Sequence, residues 1–246
     1  MTAATDLSAL FCRGVFMVRV LVSFLIVICL CGCDFEGVRI TNDVKEYETD
    51  FASVKAEIIS FSGFNNEEFE KSVNSEIAGN IESDIVAFDM EAQENKDNVR
   101  MGNKCVLEID WEEKYNNNDF ISVVEEKYVY TGGAHGSTVR IPKNIDIATG
   151  KEIKLSDLFT DTGYENTLNR MINELVTENS EEYKDLWAKP EIKQSHQTDF
   201  YINDNKLVIF FQPYDLSYYA RGFVEFPLDL GELSGYMKEE YRRIIE

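Results

Sequence analysis

The chain has few of the side chains that form disulfides or bind transition metals. It contains 5 cysteines and 2 histidines in 246 residues, and the only cysteine beyond Cys33 is Cys105. No intrachain disulfide is therefore available to most of the chain, and its folding must depend on packing. A zinc site normally draws three or four ligands from histidine, cysteine and carboxylates. His135, His196 and one cysteine do not supply such a set, so we expect no metal and no other cofactor.

Basic residues are also scarce. The sequence has 24 Lys and Arg against 45 Asp and Glu, which gives a formal net charge of -21. Such a charge repels phosphate backbones, so nucleic acid is not an expected partner. It also repels anionic lipid surfaces. A cationic protein or polymer is the partner class that this field would attract, and solubility alone is the alternative explanation of the charge.

Motifs of the common catalytic sites are absent from the sequence. There is no H-E-x-x-H, no G-x-S-x-G, no P-loop and no calcium loop. Ser137 lies near His135 in the sequence, but this closeness does not establish the geometry of a nucleophile and its base. Cys105 alternates with Leu107 and Ile109 on one face of a predicted strand, which favours a buried, inert thiol. We therefore expect the protein not to be an enzyme.

The first 32 residues have the features of a secretory signal peptide. Arg19 precedes an uncharged apolar run, Val20–Leu30, whose length suits the core of a leader and is short for a membrane-spanning helix. Residues 30–33 read Leu-Cys-Gly-Cys and resemble the lipobox of bacterial lipoproteins. That resemblance implies cleavage before Cys33 and a lipid on its sulfur. An uncleaved signal anchor is the alternative, and Met17 is an alternative start of translation.

Removal of residues 1–32 leaves 22 basic and 44 acidic residues and a formal net charge of -22. The remaining chain is long enough for one large or two small domains. Residues 33–45 lack periodicity and are predicted to be a tether between the lipid and the folded part. We therefore expect an extracytoplasmic protein that is held at the cell membrane by its lipid.

Hydrophobic periodicity predicts an α+β fold in which most of the sheet is antiparallel. It favours a long N-terminal helix that ends near Met90, with its N-cap in the segment Asn65-Asn66-Glu67-Glu68, where a glutamate follows an asparagine three residues on. It also favours a second helix in the middle of the chain, after a capping box at Thr162, and a C-terminal helix with Leu233 and Ile244 on its apolar face. Asparagine-rich turns predict two hairpins. The strands are expected at 47–61, 104–115, 120–131, 137–147, 200–202, 207–212 and 224–228, and the apolar run 207–211 is predicted to be a central strand.

Two local clusters are candidate binding surfaces. The first is a glycine-rich segment between two predicted strands, where glycines allow positive φ angles and close approach of the backbone. The second is rich in tyrosine, which combines apolar area with a hydrogen-bonding tip. A simple turn and ordinary core packing are the respective alternatives. The candidate contact residues are Tyr130, Gly132, Gly133, His135 and Gly136 in the first cluster and Tyr214, Tyr218, Tyr219 and Arg221 in the second.

A family resemblance runs through these clusters. The sequences at 130–136 (YTGGAHG), 149–159, 211–214 (FQPY) and 219–222 (YARG) resemble the extracytoplasmic domain of RsiV-type anti-sigma factors. The region from about Tyr47 to Gly133 is similar to the accessory domain of unknown function in the deacetylase PdaC. The resemblance implies a PdaC-like region at 46–133 and an RsiV C-terminal-like region at 134–246, packed as one compact unit.

The function expected from this resemblance is binding. The RsiV ectodomain is a receptor for lysozyme, a basic protein, which suits the acidic charge of this chain. The chain departs from the pattern in two ways, because it shows neither a sigma-binding segment before its leader nor the metal-binding residues of a deacetylase module. We therefore expect a noncatalytic binding or sensing lipoprotein of the cell envelope, with a lysozyme-like cationic protein or peptidoglycan as ligand. An envelope hydrolase acting on glycan or acyl groups is the alternative.

Overall fold

Two β-sheets and one long helix form the main layers of the fold. The computed structural model describes residues 37–97, 103–160, 163–193 and 196–244. The first sheet has six strands in the order β1-β2-β3-β4-β5-β6, and the second has three in the order β7-β8-β9. The strands are β1 (Arg39–Glu48), β2 (Ala52–Ser62), β3 (Cys105–Asn116), β4 (Phe120–Tyr130), β5 (Ser137–Asp146), β6 (Lys151–Glu152), β7 (Phe200–Asn203), β8 (Lys206–Phe211) and β9 (Val224–Asp229).

The long helix α1 (Glu67–Asn95) connects the one parallel pair of strands among the described residues, β2 and β3. A parallel pair needs a long crossover, which the helix supplies. Its N-cap is Asn66, whose side chain accepts a hydrogen bond from the backbone of Phe69 at 3.0 Å. Apolar side chains at three- and four-residue spacing bury one face of the helix against the first sheet. They are Val73, Ile77, Ile81, Ile85, Phe88 and Ala92.

Strand β4 is covered on both faces, since α1 lies on one side of the first sheet and the second sheet lies on the other. Ile121 and Val123 belong to the core under α1. Val124 packs with Tyr201 and Phe210 of the second sheet. Alternation along the strand therefore places consecutive residues of β4 in different cores.

Buried hydrogen bonds join the two sheets. The Ser122 hydroxyl donates to Asn144 Oδ1 at 2.6 Å, and the Asn144 amide donates to the Phe200 carbonyl at 2.8 Å. The backbone N–H of Ile202 donates to Ser122 Oγ at 3.1 Å. Ser122 and Asn144 are 0% and 3% exposed, so this network fixes β7 against β4 and β5 where water cannot replace its hydrogen bonds.

The second half of the chain completes the core around the small sheet. Helix α2 (Tyr164–Glu178) packs beside β9, and two single-turn helices, α3 (Leu230–Leu233) and α4 (Glu239–Arg242), follow that strand. Strand β8 lies in the centre of its sheet, and its residues from Leu207 to Phe211 are all buried. The prediction of a central strand at 207–211 is therefore confirmed, as is the α+β fold class.

Three details differ from the sequence-based predictions. Residues 39–45, expected in the tether, form part of β1, which pairs with β2. This edge strand is exposed along most of its length and so lacks the alternation that marks a half-buried strand. Helix α1 continues to Asn95, and Ala92 extends its buried stripe beyond the expected end. Strand β6, which pairs with β5 at the edge of the first sheet, is a strand that the sequence did not predict.

The predicted C-terminal helix is divided into two. The chain there forms the two short helices α3 and α4, and between them Met237 makes an isolated β-bridge with Phe159. That bridge takes backbone hydrogen-bonding groups that a continuous helix would use. Helix α2 begins at Tyr164 with Gly163 at its N-cap, one residue later than expected, and Thr162 lies outside the described residues.

The leader, the lipobox and Cys33 also lie outside the described residues. In the part of the chain that the structure describes, no helix is both long enough and apolar enough to cross a membrane.

The hydrogen-bond network between the sheets yields a stability prediction. Asn144→Ala removes the partner of both the Phe200 carbonyl and the Ser122 hydroxyl, and unsatisfied buried groups of this kind cost about 1–3 kcal/mol each. We expect the variant to lower the free energy of unfolding in urea by about 2–4 kcal/mol. Asn118→Ala, at an exposed position in the β3–β4 turn, is the control. Equal losses for the two variants would show that the network does not hold the sheets together.

Candidate functional site

The glycine-rich loop between β4 and β5 needs its glycines. Gly132 and Gly133 have φ angles of 113° and 101°, which side chains rarely allow. Gly136 is buried, and a Cβ atom there would overlap the ring of Tyr128. Within the loop, the Tyr130 hydroxyl donates to the Gly133 carbonyl at 3.3 Å. The backbone conformation that these residues impose places His135 at the surface.

The structure brings His135 together with two tyrosines of the second sequence cluster. The imidazole stacks on the ring of Tyr219, with the ring centroids 4.7 Å apart and the planes 17° apart. The Tyr214 hydroxyl lies 3.3 Å from His135 Nε2. His135, Tyr214 and Tyr219 form what we call the aromatic cluster. Two clusters that the sequence separates by about 80 residues are therefore one surface.

Both ring nitrogens of His135 have partners. Nδ1 lies 2.7 Å from the Gly136 carbonyl oxygen. A carbonyl can only accept, so the geometry assigns the proton to Nδ1 and leaves Nε2 to accept from the Tyr214 hydroxyl. Within the described residues, neither nitrogen is hydrogen-bonded to Ser137. The arrangement is therefore not that of a histidine base with an adjacent serine nucleophile.

Side-chain hydrogen bonds hold the tyrosine segment on strand β5. The Gln212 side chain accepts from the backbone N–H of Arg140 at 3.0 Å and donates to its carbonyl at 2.7 Å. The hydroxyls of Tyr219 and Thr138 lie 3.1 Å apart. These contacts attach the loop after β8 to the first sheet and hold the aromatic cluster against β5.

Tyr218 and Arg221 point to the segment that follows α2. The Tyr218 hydroxyl donates to the Asp185 carboxylate at 3.4 Å, and the Arg221 guanidinium donates to the Glu182 carbonyl at 2.6 Å. Arg221 therefore ties two loops together. Tyr218 remains 47% exposed and Tyr214 52% exposed, so both offer apolar area, and Tyr218 does so beside the carboxylate of Asp185.

Tyr214 has an unusual backbone conformation. Its φ angle is 76°, and among the described residues only Asp204 is another non-glycine residue with a positive φ. Such a conformation costs a non-glycine residue on the order of 1–2 kcal/mol, and strained residues of this kind concentrate at functional sites.

Sequence reasoning missed an ionic bridge beneath this surface. Arg140 on β5 forms ion pairs with Glu126 on β4 and Glu225 on β9, and its guanidinium lies 4.0 Å from the centroid of the Phe223 ring. The Tyr201 hydroxyl also donates to Glu225, at 2.9 Å. The sequence gives no indication of this bridge, since Glu225 lies 85 residues beyond Arg140 in the chain.

A second feature that the sequence analysis missed is a carboxyl group on an apolar strand face. Glu125 is 6% exposed and lies on the α1 side of β4, on the same face as Val123. Burial raises the pKa of Glu125 to about 7. The period-two pattern of the strand could have revealed it, since Ile121 and Val123 predict an apolar residue at 125.

The remaining sequence candidates for chemistry, Cys105 and His196, are not members of the aromatic cluster. Cys105 is fully buried at the start of β3, and burial raises the pKa of its thiol, as an inert thiol requires. His196 packs against Phe211 and accepts a hydrogen bond from the backbone of Lys193 at 2.9 Å. No group of three or more His, Cys, Asp or Glu suited to a metal ion occurs among the described residues.

Two family models match this chain. Residues 45–138 match the family described as Deacetylase PdaC, and residues 156–230 match a protein family of unknown function, DUF3298. The PdaC match contains the glycine-rich loop up to Gly136, and the DUF3298 match contains the tyrosine segment. The aromatic cluster is therefore built by contact between the two matched regions.

Solved structures of DUF3298 proteins share the fold. A member from Bacteroides fragilis has a TM-score of 0.66 at 15% identity, with 85% of this chain and 97% of that chain covered. One from Pseudomonas aeruginosa has a TM-score of 0.56 at 12% identity, with 82% and 95% covered. At these identities the likeness concerns the fold alone. None of the curated proteins compared with this chain matches it.

Replacing Tyr214 by glycine tests the strain at this position. Tyr214→Gly removes the strain of a positive φ, whereas Tyr218→Gly acts at a residue of similar exposure with an ordinary φ of -67°. Both changes increase the conformational entropy of the unfolded chain by the same amount. We expect Tyr214→Gly to be less destabilising than Tyr218→Gly by about 1 kcal/mol in urea unfolding. An equal or larger loss at 214 would contradict the assignment of strain.

Proposed function

We propose that the protein is a noncatalytic binding lipoprotein of the cell envelope, anchored by a lipid on Cys33, which recognises a cationic protein of the lysozyme type. The observation that supports this most strongly is the convergence of the glycine-rich loop and the tyrosine segment on one exposed surface. The sequence predicted both segments as binding candidates but did not predict that they contact each other.

The chemistry of the surface suits protein recognition. Tyrosines are enriched among the residues that dominate binding energy, because they combine a large apolar area with a hydrogen-bonding hydroxyl. Tyr214 and Tyr218 are each about half exposed, and Tyr214 and Tyr219 are held in place by His135, Thr138 and the strained backbone. A surface ordered in advance loses less conformational entropy when a partner binds.

The net negative charge of the chain supports a basic partner. The chain carries a formal net charge of -21, and the carboxylate of Asp185 accepts from the Tyr218 hydroxyl at the edge of the surface. An acidic field accelerates encounter with a basic protein and weakens as salt increases. The resemblance to the RsiV ectodomain, a lysozyme receptor, favours lysozyme as the first partner to test.

Titration of the purified protein with lysozyme tests the partner. We expect binding at low salt that weakens at least tenfold when the salt concentration is raised to about 0.5 M, since screening acts over about 10 Å already at 0.1 M. The double variant Tyr214→Ala, Tyr218→Ala should weaken binding by about 2 kcal/mol or more. Tyr236→Ala, at a 43% exposed tyrosine outside the surface, is the control. No binding at low salt would exclude lysozyme, and equal losses for the control would exclude this surface.

Mass analysis of the protein from bacterial membranes tests the anchor. The lipobox resemblance implies a mature chain that begins at Cys33 and carries a diacylglyceryl group on its sulfur. We expect this species in the wild type and an unlipidated, uncleaved chain in Cys33→Ser. Cys31→Ser, two residues earlier in the sequence, is the matched control and should still be processed. An intact, unlipidated N-terminus in the wild type would contradict the proposal.

A further inference from the structure

Strand β1 forms a long, exposed edge of the first sheet. It pairs with β2 over its whole length, from Arg39 to Glu48, and has no second neighbour among the described residues. The other edge of the same sheet is β6, which has 2 residues. Long exposed edges offer unpaired backbone groups to other chains, and native proteins usually shorten or cover them. Strand β1 is therefore open to pairing with a further strand, whereas β6 is not.

The turn between β1 and β2 shows which backbone groups of β1 face outward. The N–H of Thr49 donates to the carbonyl of Ala52 at 2.8 Å, so the backbone of residue 49 is directed at β2. This direction alternates along an antiparallel strand, and the register of β1 with β2 is continuous as far as Arg39. The outward N–H and C=O groups therefore belong to the even-numbered residues. They are Ile40, Asn42, Val44, Glu46 and Glu48.

The sequence of β1 is complementary to itself in one antiparallel register. When Val44 of each copy lies on a two-fold axis, Asp43 is directly opposite Lys45 of the second copy. Side chains opposite each other are about 5 Å apart, so unlike charges there attract and like charges repel. Moving the axis by one residue places Asp43 or Lys45 opposite its own copy. Moving it by two places Glu46 opposite its own copy or Arg39 opposite Lys45, so the Val44 register is favoured.

Exposed apolar side chains are concentrated at the same edge. Val44 on β1 and Val86 and Met90 on α1 are each at least 50% exposed. All three line a groove of about 750 Å³ between β1 and α1. Single exposed apolar residues are ordinary, but contiguous ones mark contact surfaces. The groove and the open strand therefore form one candidate interface.

A second copy of the chain fits both features of this edge. Antiparallel pairing about a two-fold axis perpendicular to the sheet keeps both α1 helices on the same face. The second β1 then extends the floor of the groove beside Val86 and Met90 by one strand, about 4.8 Å. The outward residues form antiparallel pairs that each exchange two hydrogen bonds, about ten in total, which is the number in a typical specific interface.

Repulsion between two acidic copies acts over longer distances than the contacts at this edge. Each chain carries a formal net charge of -21, but screening limits the reach of exposed charges to about 8 Å at 0.15 M salt. The α1 carboxylates that line the groove are paired within each copy, since Lys45 bonds Glu82 at 2.6 Å and the Tyr47 hydroxyl donates to Asp89 at 2.6 Å. The contact between Asp43 and Lys45 of the second copy is shorter than the screening distance, so salt weakens it less than the repulsion.

We propose that two copies of this chain pair antiparallel through β1, with Val44 on the two-fold axis, so that their six-stranded sheets become one continuous sheet. The interface shares no residue with the aromatic cluster. It therefore does not rest on the proposed function, and each dimer carries two aromatic clusters.

Sedimentation equilibrium of the purified protein at about 0.15 M salt tests the dimer, because the Debye length is then about 8 Å. We expect a reversible equilibrium between monomer and dimer with a dissociation constant in the micromolar range. A protein that remains monomeric at concentrations up to about 100 μM would overturn the proposal.

Charge reversal tests the register. Asp43→Lys places lysines opposite each other, and Lys45→Asp places aspartates opposite each other. We expect each variant alone to dimerise at least tenfold more weakly than the wild type, and an equimolar mixture of the two to regain dimers because unlike charges then meet. Lys184→Asp, the same change at an exposed lysine after α2, is the control and should dimerise normally. Unchanged dimerisation of the single variants would overturn the register.

A substitution on the axis separates the dimer from recognition at the aromatic cluster. Val44→Lys places two lysines together on the axis at an exposed position, and we expect it to weaken dimerisation at least tenfold while lysozyme binding per chain is unchanged. Thr177→Lys, on the exposed side of α2, adds the same charge away from the edge and should leave dimers intact. Tyr214→Ala, Tyr218→Ala should also dimerise normally. A Val44→Lys protein that dimerises as tightly as the wild type would contradict the interface.

Discussion

Strand β4 is buried on both faces. One set of its side chains joins the core under α1, and the alternate set packs against the second sheet. The strand thus connects a layer built mostly from the PdaC-matched region to one built from the DUF3298-matched region. Because it is shared, neither layer can bury its apolar surface without the other.

The candidate surface follows from this sharing. The glycine-rich loop leaves the end of β4, and the second sheet carries the tyrosine segment to the adjacent strand β5, where Gln212 binds the backbone of Arg140. The hydrogen bonds between Ser122, Asn144 and β7 fix the relative position of the two sheets. A change in that position would move Gln212 relative to Arg140 and separate the members of the aromatic cluster.

Local patterns predicted much of the fold. The N-cap of α1 lies in the asparagine pair where it was expected, and the asparagine-rich turn produces the β3–β4 hairpin, because these signals act over a few residues. Strand β1 was missed because an exposed edge strand carries no alternation of burial. The C-terminal helix is divided into two short helices because the pairing of Met237 with Phe159, a long-range contact, outweighs local periodicity. The residue types of the binding surface were predictable, but the contact of His135 with Tyr214 and Tyr219 depends on how the two sheets pack, which sequence spacing does not contain.

Amide hydrogen exchange of the protein with and without bound lysozyme maps the contact surface without any substitution. We expect slower exchange in residues 130–136 and 212–222 when lysozyme is bound, with exchange in β1 and α1 unchanged. Slower exchange confined to β1 or α1, with no change in the loop and the tyrosine segment, would contradict the proposal that these two segments form the recognition surface.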